Sequence, residues 1–140
     1  MGFEIITKIK IAASAERVWE VFSDFNRYKD WNPFIKSIDG VVAPGNQIHV
    51  TIDGMSFKPK VLEFVKNRKL VWKGALLHPV LFAGTHGFEI EPLADGSSIF
   101  HHYEQFGGIL LPLMKRKLSN ETKTGFENMN VTLKAKAEGK

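Results

Sequence analysis

Hydrophobic and polar positions alternate over the first eleven residues. Phe3, Ile5, Thr7, Ile9 and Ile11 fall on one side of an extended chain, and Glu4, Ile6, Lys8 and Lys10 on the other. A period of two is that of a half-buried strand. The period then lengthens. Behind Ser14, which is placed to cap a helix, Val18, Val21, Phe22 and Phe25 recur at helical spacing with Trp19 beside them. Asp24 is placed to cap a second short helical turn, and Trp31-Asn32-Pro33-Phe34 ends it, because the residue before a proline is driven out of the helical region.

From there, turn signals come at short intervals: Ala43-Pro44-Gly45-Asn46, Asp53-Gly54, Lys66-Asn67-Arg68, His78-Pro79 and Ala94-Asp95-Gly96. The runs between them predict strands near 36–42, 47–53, 56–65, 69–77, 82–92 and 97–106. No helical period interrupts these strands, so the expected sheet is antiparallel and sequentially paired.

After Gly107-Gly108, Pro112 sits at a plausible first helical position and no strong breaker follows until Gly139, which predicts one long terminal helix. Its apolar stripe runs through Met114, Leu118, Thr122, Gly125, Met129 and Leu133, with Phe126 adjoining. The stripe thins in the middle, where Gly125 costs a helix about 1 kcal/mol relative to alanine. Two readings stand: Thr122 and Gly125 leave space beneath the helix, or the glycine admits close packing against another backbone or is simply tolerated. The order of elements gives an α+β fold in one domain, residues 1–140. A curved antiparallel sheet buries its apolar face under the long helix, and the short helices close one end.

Composition adds exclusions. Hydrophobic residues at 44% and charged residues at 24% are ordinary for a globular domain of 140 residues. There is no cysteine, which removes disulfides, thiol nucleophiles and thiolate zinc sites. The net charge of +4 is carried largely by the terminal helix, without interleaved aromatics, so a solvated face is expected rather than a nucleic-acid surface. No signal segment or membrane span is read from the pattern, and a cytoplasmic protein is expected. Gly-x-Ser-x-Gly, Walker, Gly-x-Gly-x-x-Gly and zinc-protease helix motifs are absent.

The candidate chemistry lies on the last two strands. Phe100, His102, Glu104 and Phe106 share one face, and His86, Phe88 and Ile90 share a face of the preceding strand. The hairpin at Ala94-Asp95-Gly96 brings His86 within one residue pair of His102 or Glu104. Imidazoles and a carboxylate facing an apolar interior are costly unless paired, hydrated or bound to something. Trp72, Leu76, Phe57, Trp31, Phe34, Phe126 and Met129 are candidates for the same interior, with Thr122 and Gly125 above. Together they describe a pocket with aromatic walls and a few polar groups. Two histidines and a carboxylate also have the composition of a metal triad, but no metal or cofactor is expected. The Ile109-Leu110-Leu111-Pro112-Leu113-Met114 run before Lys115-Arg116-Lys117 offers a membrane contact, although the start of a core helix is the preferred reading.

Ala15-Glu16-Arg17-Val18-Trp19-Glu20-Val21-Phe22, Trp31-Asn32-Pro33-Phe34, Leu70-Val71-Trp72-Lys73-Gly74, the Phe-x-His-x-Glu-x-Phe-x-Gly run from Phe100 to Gly108 and Thr124-Gly125-Phe126-Glu127-Asn128-Met129-Asn130 resemble, in order and spacing, the SRPBCC superfamily. This is the START and birch-pollen-allergen, helix-grip group, and the polyketide cyclase/dehydrase branch is the most similar. The resemblance spans the chain and implies a seven-stranded sheet gripping the terminal helix around a hydrophobic cavity. It implies binding of a small hydrophobic or amphipathic ligand, lipid-, polyketide- or quinone-like. The alternative is a cyclase or dehydratase using His102 and Glu104. No catalytic residue carries over from the branch.

Overall fold

The computed structural model describes residues 2–52, 54–75, 80 and 82–139; the side chains of residues 114, 115 and 117–119 lie outside that description. Strand β1 (Phe3–Ile11) leads into helix α1 (Ala15–Phe22), a 3₁₀ turn (Phe25–Arg27) and a single-turn helix α2 (Tyr28–Trp31). Strands β2 (Ile35–Asp39), β3 (His49–Ile52), β4 (Met55–Phe57), β5 (Lys60–Val65), β6 (Lys69–Ala75), β7 (Ala83–Pro92) and β8 (Ser98–Gly107) follow. The chain ends in α3 (Leu111–Lys117), a π-helical turn (Leu118–Thr122) and α4 (Lys123–Ala137).

The strands form a five-stranded antiparallel sheet in the order β1-β8-β7-β6-β5 and a three-stranded one in the order β2-β3-β4. The strand expected over 56–65 is two strands, because Pro59 cannot donate to a ladder and the chain bends there from one sheet to the other. Among the described residues the Gln47 to Lys60 bridge links the two ladders, with backbone hydrogen bonds from Gly45 to Val61, Ile48 to Pro59 and Val61 to Asn46 on either side of it. Sequential pairing holds from β2 to β4 and from β5 to β8, but not between β4 and β5 and not for β1. The helices after β1 carry the chain away from its neighbour in sequence, and β1 pairs with β8 instead, Phe3 opposite Phe106 and Ile9 opposite Phe100. The strand expected over 69–77 ends at Ala75 within the described residues, and the His78-Pro79 turn signal lies outside them.

The Ser14 hydroxyl caps α1 by accepting from the Arg17 backbone N–H at 3.1 Å. Val18, Trp19, Val21 and Phe22 turn their side chains inward. Asp24 stands before the 3₁₀ turn but makes no side-chain capping bond; its carboxylate lies 3.6 Å from Arg27 Nε. Chain direction here is set by the buried Tyr28, whose hydroxyl donates to the Phe22 carbonyl.

The terminal helix runs over the expected span but is not uniform. The π turn inserts extra backbone between α3 and α4, and it puts Glu121 and Thr122 over the gap between the two sheets. Phe126, Met129 and Leu133 of the expected stripe are buried, Thr122 and Gly125 half-buried, and the side chains of Met114 and Leu118 lie outside the description. In the apolar run that leads into α3, Leu111 is buried while Ile109 and Leu113 are exposed, so only part of it begins the core.

Candidate functional site

A cavity of about 370 Å³ opens between the two sheets beneath the π turn. The short sheet contributes Val50, Ile52, Met55 and Phe57, and Pro59 closes the bend that follows. The large sheet contributes Trp72, Gly74 and Ala75 from β6, Gly84 and His86 from β7, and Glu104 and Phe106 from β8. Phe34, Phe82, Glu121 and Thr122 complete the wall.

Of the fifteen candidates read from the sequence, Phe34, Phe57, Trp72, His86, Glu104, Phe106 and Thr122 line this cavity. Phe88, Phe100, His102, Phe126 and Met129 are fully enclosed in the core behind it. Phe88, Phe100 and His102 share strand faces with lining residues, but along β7 and β8 that face passes from the cavity at one end into the core at the other, while Phe126 and Met129 reach the core from α4. Trp31 packs on Tyr28, ring centroids 5.2 Å apart, and lies away from the wall. Leu76 lies outside the described residues.

Gly125 does not line the cavity either. The Phe34 ring occupies the place a side chain would take, since a Cβ on Gly125 would stand 2.5 Å from Phe34 Cδ1. Close packing, rather than open space, therefore accounts for the glycine. Phe34 is aimed there by Asn32, whose Oδ1 accepts from the backbone N–H groups of Phe34 at 2.9 Å and Ile35 at 2.8 Å. Its ring then meets Phe126 edge to face at 5.4 Å.

The polar part of the site is a chain of contacts running from the wall into the core. His86 stands opposite Glu104 in the β7–β8 register, with Nδ1 3.5 Å from Oε1 of Glu104. His86 Nε2 lies 2.7 Å from Nε2 of His102. His102 Nδ1 lies 2.9 Å from Oδ1 of Asn130 on α4, and Asn130 Nδ2 donates to the Thr7 hydroxyl at 2.8 Å. Thr7 donates in turn to the backbone carbonyl of His102 at 2.8 Å. His86, His102, Asn130 and Thr7 are all buried.

Burial favours the neutral form of each ionisable member. It lowers His102 to about 3, with the Asn130 hydrogen bond working against it. It holds His86 well below the usual imidazole range, and the neighbouring His102 adds to the effect. It pushes the Glu104 carboxyl up to about 8, so the acid form predominates at neutral pH. Glu104 remains the outermost member, its side chain 16% exposed at the cavity. Its carboxyl lies over Gly84, where any side-chain carbon would collide with Oε2. The two imidazoles meet ring nitrogen to ring nitrogen, which leaves no room for an ion between them. The outward-facing His101 and Tyr103 pair with Glu91 and Glu89, both at 2.9 Å, on the opposite face of the sheet.

Sequence reasoning missed Asn130 and Thr7 as members of this chain. The available signal was an amide at a buried step of α4, one turn before Leu133. It also missed the contributions of Val50, Ile52 and Met55, which depend on the bend at Pro59.

The family described as "Polyketide cyclase / dehydrase and lipid transport" matches residues 3–138. Among curated proteins no match is found. Solved structures share the fold. A START superfamily protein from Mycobacterium smegmatis is 26% identical with a TM-score of 0.70, over 96% of this chain and 97% of that one. The Zhui aromatase/cyclase from Streptomyces sp. R1128 is 14% identical with a TM-score of 0.75, over 99% and 94%. Norcoclaurine synthase from Thalictrum flavum is 12% identical with a TM-score of 0.72, over 98% and 94%.

Proposed function

The chain belongs to the polyketide cyclase/dehydrase and lipid transport family, and from that premise we propose that it binds a small hydrophobic or amphipathic ligand between its sheets and the terminal helix. The observation that carries this reading is the cavity itself. Its wall is mostly apolar, with the rings of Phe34, Phe57, Trp72, Phe82 and Phe106, and its polar side chains are His86 and Glu104 on the large sheet and Glu121 and Thr122 on the π turn. A ligand's hydrocarbon or ring system lies against the aromatic side, where burial contributes roughly 25 cal/mol per Å², and its polar end meets Glu104. Among the described residues no helix is long and apolar enough to cross a membrane.

Native mass spectrometry of the freshly purified protein, with extraction after denaturation, tests the reading. A co-purified apolar molecule, reduced in an Ile52→Trp protein whose indole fills the cavity, is the expected result. Protein that carries nothing and takes up no added apolar probe overturns it.

A second reading, cyclisation or dehydration in the same cavity, is favoured by one observation: a carboxyl in its acid form at the wall, backed by an imidazole. The proton-handling pair is then Glu104 and His86 rather than Glu104 and His102, because His102 is sealed behind the wall. Turnover abolished in Glu104→Gln with ligand retained separates catalysis from binding.

A further inference from the structure

The contacts behind the cavity wall have a direction that can be read from their donor and acceptor capacities. Thr7 has one hydroxyl proton and contacts two groups, the His102 carbonyl and the Asn130 amide. Both contacts form only if the proton goes to the carbonyl and the amide NH₂ faces Thr7. That turns Oδ1 of Asn130 toward His102 Nδ1, so Nδ1 carries the hydrogen. In a neutral ring, His102 Nε2 is then a bare lone pair, and the nitrogen 2.7 Å away on His86 must be the donor. A neutral His86 that is protonated at Nε2 presents a bare Nδ1 to Glu104.

We infer that Thr7 and Asn130 act as positioning residues that lock His86 in its Nε2–H tautomer, so that the wall of the cavity ends in hydrogen-bond acceptors and selects an uncharged apolar ligand bearing a hydroxyl. The second half rests on the ligand-binding reading above. The acid proton of Glu104 is directed at His86 Nδ1, and the remaining carboxyl oxygen is left to accept a hydrogen bond from the ligand. Charge agrees with this assignment: the ionisable side chains on the wall are His86, Glu104 and Glu121, and no lysine or arginine stands among the described lining residues to hold a carboxylate or phosphate. An ether has no proton to give, and an ionised acid finds no cation on the described wall to balance its charge.

The tautomers can be observed without any ligand. Long-range ¹H–¹⁵N correlation of the imidazole rings at pH 7 is expected to show His102 protonated at Nδ1 and His86 at Nε2. The opposite pattern in either ring overturns the inference even if apolar probes bind. The ligand half is read by calorimetric titration with 2-naphthol and 2-methoxynaphthalene. The naphthol is expected to bind at least about fivefold tighter, since the ether leaves a buried acceptor unmet. Equal affinities overturn the selectivity. Thr7→Val frees the Asn130 amide to turn, and the preference for the naphthol is expected to fall while the His86 tautomer changes. An unchanged tautomer in that protein overturns the positioning role. Should neither naphthalene bind, the ligand-binding reading fails, whereas the tautomer measurement stands separately.

Discussion

The Phe34 ring rests on Gly125: its Cδ1 and Cε1 carbons lie 2.5 and 2.6 Å from where a Cβ on that glycine would be. A residue that weakens the terminal helix by its flexibility is thus the residue that lets a cavity-lining ring pack against the helix. Replacing Gly125 by alanine should therefore destabilise the protein. With two ring carbons this close, the overpacking cost lies in the upper part of about 1–3 kcal/mol and exceeds the helix-propensity gain of about 1 kcal/mol. In a Phe34→Ala background the same replacement should instead stabilise, because only the propensity gain remains. Urea unfolding of the four proteins checks the change of sign; equal effects in both backgrounds would show that the ring moves aside freely.

The buried titratable groups set a stability optimum. Glu104 has its pKa raised to about 8 in the fold from an ordinary 4.5, so it contributes fully below pH 4.5 and loses that contribution as the pH rises toward 8. His86 and His102 have theirs lowered from 6.5, so their contribution is complete above 6.5 and lost as the pH falls below it. Below pH 6.5 the two imidazoles outweigh the one carboxyl, and above it the carboxyl acts alone. Stability should peak near pH 6.5 and fall by about 2 kcal/mol between there and pH 8, at about 1.4 kcal/mol per unit. Thermal or urea midpoints across pH 5–9 measure this, and a profile still rising from 6.5 to 8 would contradict it.

Glu104→Gln separates the carboxyl from the rest. A glutamine amide has the shape of the neutral acid and can turn its NH₂ toward His86 Nδ1, yet it cannot ionise. The variant should match the parent near pH 6.5 and keep that stability at pH 8, a gain of about 2 kcal/mol there. If the alkaline decline persists in the variant, another group is responsible for it.

Asn130 and Thr7 should behave as a unit. Asn130→Leu leaves the His102 Nδ1–H without an acceptor and should cost about 1–3 kcal/mol; Thr7→Val should cost a similar amount. The double substitution should cost less than the sum by at least about 0.5 kcal/mol, as expected for side chains in one hydrogen-bonded network. Additive costs in a double-mutant cycle would mean that the contacts are energetically independent.

What was legible in the sequence is local. Strand alternation placed His86, Phe88, Phe100, His102, Glu104 and Phe106 on the inward face, and hairpin spacing brought His86 within one residue pair of His102 or Glu104; the observed register puts it opposite Glu104. What alternation does not carry is curvature: the same face is cavity wall at Glu104 and sealed core at Phe100 and His102. The sequence pattern reads 56–65 as one strand, whereas Pro59 breaks it and the two halves join different sheets. At Gly125 the sequence does not decide between open space, close packing and simple tolerance, and the Phe34 ring aimed by the Asx turn at Asn32 shows a requirement for close packing. Asn130 needed its partners on β1 and β8, which are 123 and 28 residues away in the chain.

Equilibrium dialysis of 2-naphthol against the purified protein, beside the Ile52→Trp variant, tests the cavity most directly. Saturable uptake of one molecule per chain that is lost when the indole fills the space between the sheets is the predicted result. No saturable uptake, or uptake unchanged in the filled variant, would contradict the assignment of this cavity as the binding site.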